Sequence, residues 1–176
     1  MSVFEAALLV FTLLIATSIV WYTWHLGISP MPSSKSARQA MLQLSVNTGN
    51  GPIYELGSGW GHLLIPLSKK YPKRKIVAYE LSFLPWLTTL TLIKALGLNN
   101  IQLHRGNFLK ANILDASVIV CYLFPEGMEQ LQSKLQKEAV NLEYLISNNF
   151  ALPSHQPDKT IQLNDLYQSP VFLYKF

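Results

Sequence analysis

Seven consecutive residues, Glu55-Leu56-Gly57-Ser58-Gly59-Trp60-Gly61, restrict what this chain can fold into more than any other stretch. The apolar run Pro52-Ile53-Tyr54 before them reads as a buried strand. His62 to Lys70 after them places apolar residues at 63, 64 and 67, the spacing of a helix. A strand therefore ends in a glycine-rich turn that opens a helix. Glycines at alternate positions let the backbone reverse sharply and let a ligand lie against it. Free amides at the helix start favour a polar or anionic ligand group. A nicotinamide fingerprint needs Gly or Ala at the sixth position counted from Gly57, and that position is His62. A phosphate loop needs Gly-Lys-Ser or Gly-Lys-Thr, and no Lys lies between 51 and 68. A glycine turn that binds nothing is the plain alternative.

The rest of the chain alternates strand and helix signals. Ser33 or Ser34 can cap a helix running to about Leu44, with Ala37, Met41 and Leu44 on one stripe. Asn47 to Gly51 breaks it before the first strand. Lys75 to Glu80 is an apolar second strand ending in an acid. A helix from about Ser82 to Leu96 is stopped by Gly97 and Asn99-Asn100. Ile101 to Arg105 alternates as a third strand and turns at Gly106-Asn107-Phe108. Ala116 to Tyr122 is a continuous apolar run, as a central parallel strand requires. Pro125 suits the first turn of the next helix, whose apolar face uses Leu131, Leu135 and Val140. Leu142 to Ser147 is the fifth strand, and Thr160–Leu163 with Val171–Phe176 form an antiparallel pair at the end. This is an α/β chain with a mostly parallel sheet. In such sheets ligands bind outside the carboxyl ends of the strands. Glu55, Glu80, Asn107 and Tyr122 then line one edge, with Glu80 placed to accept both hydroxyls of a ribose.

The front of the chain is different. Ala6 to Trp24 is nineteen residues without a charge. As a helix it would span about 28 Å, close to a hydrocarbon core of about 30 Å. Trp21, Tyr22 and Trp24 cluster at its end, as interfacial aromatics do. A signal peptide fits less well: no Lys or Arg precedes the run and no Ala-x-Ala site follows. The expected organisation is a transmembrane anchor over 1–27, a Pro-, Gly- and Ser-rich hinge over 28–34, and one domain over 35–176. Lys35 and Arg38 follow the aromatic end, so the positive-inside bias puts the domain on the cytoplasmic or matrix side. The first helix leads to the amino edge of the sheet. Its start, with the hinge, is therefore expected near the carboxyl edge, so that the site faces the bilayer.

Composition excludes several classes. The net charge of +4 does not by itself call for nucleic acid, and no nucleic-acid partner is expected. Cys121 is alone, which rules out a disulfide framework and a Cys-rich zinc site; no metal is expected. Five of the seven residues from Lys69 to Lys75 are basic. They read as a solvated helix end or, more specifically, as a contact with anionic lipid.

Acid-x-Gly-x-Gly-x-Gly at 55–61, a second acid-ended strand at Glu80 and the order of elements from Pro52 to Phe176 resemble the class I S-adenosylmethionine (SAM) dependent methyltransferases, with their Rossmann-like seven-stranded sheet and antiparallel last strand. The resemblance implies SAM as cofactor. It implies that Glu55, Gly57, Ser58, Gly59 and Gly61 hold the methionine end of SAM, that Glu80 binds the ribose, and that Asn107 and Phe108 belong to the adenine turn. The family more often has Asp at the position of Asn107. Tyr122-Leu123-Phe124-Pro125 occupies the motif bordering the methyl group and differs from the Asn/Asp-Pro-Pro-Tyr of base methylation. The apolar N-terminus, the hinge, Tyr79-Glu80 and Tyr122 to Glu126 are similar to a narrower family. These are the membrane-anchored protein lysine methyltransferases related to those of ATP synthase subunit c and of the adenine nucleotide translocase. That resemblance implies a protein lysine as acceptor, and a site facing the bilayer fits an integral membrane protein as the substrate. Tyr122 and Glu126 are the catalytic candidates, to orient the amine, and Phe124 and Trp60 are candidates for the pocket wall. A methyltransferase of a small molecule or lipid, or an inactive SAM-fold interaction module, are the competing expectations.

Overall fold

The computed structural model describes residues 2–10, 12, 13, 17, 33–138 and 140–176. The chain divides into two units, Met1–Met31 and Pro32–Phe176. In the first, residues 3–10 are helical. The expected span over Ala6–Trp24 and the hinge over 28–34 lie mostly outside the described residues, as does the placement inferred from them. Among the described residues, no helix is long and apolar enough to cross a membrane.

The second unit is built on a seven-stranded sheet. Its strands are β1 (Ile53–Leu56), β2 (Ile76–Glu80), β3 (Ile101–Arg105), β4 (Val118–Cys121), β5 (Tyr144–Asn148), β6 (Lys159–Gln162) and β7 (Pro170–Lys175). The spatial order is β3-β2-β1-β4-β5-β7-β6. The first five strands run parallel, and β7 pairs antiparallel with both β5 and β6. The expected α/β architecture, with its antiparallel end, is the one observed. The chain crosses back past β1 to reach β4, so the sheet reverses direction beside β1, where ligands bind in open α/β sheets.

Strand side chains alternate between two cores. Ile53, Ile76, Ala78, Val118, Val120 and Ile146 pack beneath α1 (Lys35–Leu44), α2 (Leu64–Lys70) and Ile93 of α3 (Phe83–Ala95). Tyr54, Leu56, Val77, Ile119, Cys121 and Leu145 face the other way, against Met128 and Leu131 of α4 (Pro125–Lys137). Three helices thus cover one face and one helix covers the other. Ser34 caps α1, its hydroxyl accepting from Ala37 N–H at 3.1 Å. Pro125 takes the first position of α4, as its missing donor and fixed φ favour.

Two expected boundaries move. The helix expected from His62 begins only at Leu64; Gly59 (φ +52°) and Gly61 (φ +77°) hold the turn just before His62 in the left-handed region. Helix α4 ends at Lys137, so Val140 lies beyond it while still packing at the second core.

Candidate active site

The site grows from the end of β1. Gly57 and Ser58 both donate backbone N–H groups to Tyr79 O of β2, each at 3.0 Å, which folds the turn onto the neighbouring strand. Gly59 N–H donates to Glu80 Oε2 at 2.8 Å, and Ser82 N–H donates to Glu80 Oε1 at 2.7 Å. The Glu80 carboxylate therefore ties the glycine turn to the start of α3. Each of its oxygens keeps one further lone pair for a ligand hydroxyl. From α3, Thr89 Oγ1 donates to Gly59 O at 2.9 Å. A side chain at Gly61 would meet Thr89 Cγ2 at 2.9 Å, so the third glycine seats a helix. Nothing lies within 4 Å of where a side chain at Gly59 or Gly106 would sit. These two glycines leave open space.

Glu55 is buried at the end of β1, and its Oε2 has no hydrogen-bond partner among the described residues. Burial, then the nearby Glu80 carboxylate, raises its pKa well above the ordinary 4.5. The Ser58 hydroxyl is also buried and unpartnered among the described residues. Native proteins rarely leave such atoms unsatisfied without a reason. An acceptor and a hydroxyl without partners, beside open glycine backbone, fit a polar, partly cationic ligand such as the methionine end of SAM.

At the end of β3, Phe108 starts a short 3-10 turn, Phe108–Lys110, capped by Asn107. The Asn107 side-chain carbonyl accepts from Leu109 N–H at 2.9 Å and keeps a second lone pair. At the end of β4, Tyr122 stacks on Phe150 with ring centroids 6.3 Å apart. Glu126 sits exposed in the first turn of α4, where its Oε1 accepts from Gln130 Nε2 at 3.2 Å. The geometry joins Gly59 and Glu80 directly, puts Glu55 within electrostatic reach of Glu80, and sets Asn107, Phe108, Tyr122 and Glu126 after neighbouring strands. Tyr122 and Glu126 share no hydrogen bond. The sequence reading missed Thr89, which carries no local signal inside an apolar helix. It also missed Asn148, buried at the carboxyl end of β5, which an Asn-Asn pair after an apolar strand could have flagged.

The ANTKMT methyltransferase domain family model matches residues 55–159. A protein-lysine N-methyltransferase of Saccharolobus islandicus is 26% identical over 145 residues, covering 82% of this chain and 89% of that protein. The adenine nucleotide translocase lysine N-methyltransferase of Mus musculus is 31% identical over 126 residues, covering 69% of this chain and 54% of that enzyme. The chain thus spans about half the length of the mouse relative. Among solved structures, an RNA methyltransferase from Salinibacter ruber in complex with S-adenosyl-L-homocysteine superposes with a TM-score of 0.71 at 24% identity. It covers 82% of this chain and 93% of that one, a likeness of fold.

Proposed function

The chain belongs to the ANTKMT methyltransferase domain family and is a SAM-dependent methyltransferase, and on that premise we propose that it methylates the side-chain amine of a lysine in a protein. The observation that carries the choice of acceptor is that relatives overlapping the glycine turn and Glu80 bear protein-lysine names.

SAM supplies a methyl group on a positively charged sulfur, and transfer breaks that C–S bond as the amine nitrogen forms the new C–N bond. The chain's part is positioning, which supplies much of the rate in such displacements. Glu55, Gly57, Ser58, Gly59 and Gly61 hold the methionine end, Glu80 the ribose, and Asn107 with Phe108 the adenine. Its side-chain carbonyl also caps the 3-10 turn, so Asn107 shapes that turn as well. Tyr122 and Glu126 orient the acceptor amine, with Phe124 and Trp60 walling the approach. An apolar wall favours the neutral, nucleophilic form of a lysine. The proton leaves to solvent.

The apolar run from Ala6 to Trp24 supports a second element of the proposal: a single-pass anchor with the catalytic domain on the cytoplasmic or matrix side, acting on an integral membrane protein. The test uses the full chain in detergent, radiolabelled SAM and a membrane fraction. Label appearing as methyl-lysine in protein supports the reading. Label extracted into the lipid or small-molecule phase would replace the acceptor. Absence of SAM binding by calorimetry in folded protein would leave only an interaction module.

A further inference from the structure

Charge divides this domain by face. The three helices on one side of the sheet, α1, α2 and α3, contain no acidic residue. From residue 6 to residue 114 the chain has ten Lys and Arg and two acids, Glu55 and Glu80, and both acids are buried in the site. The single helix on the other side is charge-balanced, with Glu126 and Glu129 against Lys134 and Lys137, and seven of the ten acids follow residue 114. A mildly basic net charge therefore conceals three helices on one side that carry no carboxylate, with the exposed Glu143 close by, beside Gly49.

The same face exposes apolar surface. Helix α3 is apolar nearly all round, and only Pro85, Thr89 and Ile93 are fully buried. Leu81, Phe83, Leu87, Leu92 and Leu96 are each at least 38% exposed. Phe83 and Leu87 lie one turn apart on the side of α3 opposite Pro85, Thr89 and Ile93, with Lys94 on that same side. Leu92 and Leu96 flank the buried face instead. The Arg105 guanidinium lies over the rings of Phe83 and Trp86, at 5.5 and 6.0 Å from their centroids. An apolar body with a cationic tip is the arrangement side chains adopt at a membrane interface. At the other end, Asn100 Nδ2 donates to Tyr71 O and Arg74 O, and its Oδ1 accepts from Ser68 Oγ. Those bonds fasten the turn after α3 beside Lys69, Lys70, Lys73 and Lys75, all exposed.

We propose that this face, α3 foremost, is a docking surface for an anionic lipid bilayer, with Phe83 and Leu87 entering the headgroup boundary and the lysines, Lys94 among them, meeting lipid phosphates. Apolar insertion and anionic attraction act together in such helices. Nucleic acid would satisfy the lysines but leave Phe83 and Leu87 uncovered. The inference rests on α3 and its neighbours, independently of the apolar run at 6–24.

The test places a nitroxide at Leu87→Cys in the full chain, and a control label at Gln130→Cys on α4. Cys121 is buried and its thiol is pushed up to about 12 by burial, so it does not compete for the label. On vesicles of phosphatidylcholine with phosphatidylglycerol, collisions of the Leu87 label with a polar nickel chelate fall several-fold and collisions with oxygen rise, while the Gln130 label stays aqueous. Replacing Lys69, Lys73 and Lys94 together by Glu, all exposed positions, returns the Leu87 label to water. A Leu87 label that remains aqueous on these vesicles, or that is shielded by RNA and not by them, overturns the proposal. Binding to vesicles of phosphatidylcholine alone reports the N-terminal run separately, so the two readings fail independently.

Discussion

At the scale of residues, one carboxylate does two jobs. Glu80 accepts from two backbone amides that no other group satisfies, and each oxygen keeps a further lone pair. Glu80→Ala leaves both amides orphaned, and hydrogen bonds to a charged acceptor are worth about 1.5–3 kcal/mol each. We expect a loss of roughly 3–6 kcal/mol in urea unfolding, together with loss of SAM binding. Loss of binding without loss of stability would mean that the amides find water. Glu55 gives a pH signature. Its raised pKa means that the folded state keeps a proton the unfolded chain would release. The stabilisation from the protonated form is complete below the ordinary value of 4.5 and is lost as pH rises through the folded-state pKa. Unfolding from about pH 5 to 8 should therefore show wild-type stability falling relative to Glu55→Gln. A cationic ligand favours the ionised carboxylate, so SAM binding should release a proton. Calorimetry in buffers of different ionisation enthalpy reads that release, and Glu55→Gln should abolish it. Both acids were legible in the sequence because they end apolar strands at ligand-binding spacing. Thr89 was not, because a threonine in mid-helix signals nothing until tertiary packing brings it to Gly59 and Gly61.

At the scale of elements, the glycine turn separates into two functions that the sequence could not distinguish. Gly61 has φ +77°, and a side chain there would meet Thr89 Cγ2 at 2.9 Å. Gly59 has φ +52° and faces open space. A left-handed non-glycine residue costs about 1–2 kcal/mol by itself, and forced overpacking adds about 1–3 kcal/mol. Gly61→Ala should lower stability by about 2–4 kcal/mol on those figures. Gly59→Ala should cost about 1–2 kcal/mol and weaken SAM binding instead. Equal stability losses would refute the division of labour. The strands were readable because each is a short apolar run, buried on both faces in β1 and β4. Helix α2 was over-read by two residues because apolar spacing does not mark where the turn ends and the helix begins. The pairing of β7 with both β5 and β6 was readable only as an antiparallel pair; its place beside β5 is set by packing.

At the scale of the whole molecule, net charge says little and its distribution says much. The reading of Lys69 to Lys75 as either a solvated helix end or a lipid contact could not be resolved along the sequence. The fold resolves its setting by placing those lysines on the same face as α1 and the exposed side of α3. The fold class itself was legible, since acid-ended strands and alternating helices admit few arrangements. The segregation of acids was also written in the sequence, but it acquires meaning only when α1, α2 and α3 are placed on one side of the sheet and α4 on the other. If the basic face docks on lipid, it should matter only for acceptors presented in a membrane. The triple variant Lys69→Glu, Lys73→Glu, Lys94→Glu alters no residue of the glycine turn, β2 or the Tyr122 motif. Its kcat/KM on a soluble lysine peptide should match wild type. On an acceptor reconstituted in anionic vesicles, KM should rise by about tenfold or more, since each cation near such a surface contributes about 1 kcal/mol. Raising ionic strength should produce the same rise in the wild type, because exposed charges are screened over about 10 Å at 0.1 M salt. A variant impaired equally on both acceptors would instead place these lysines in contact with the acceptor protein, and the lipid face would have to be abandoned.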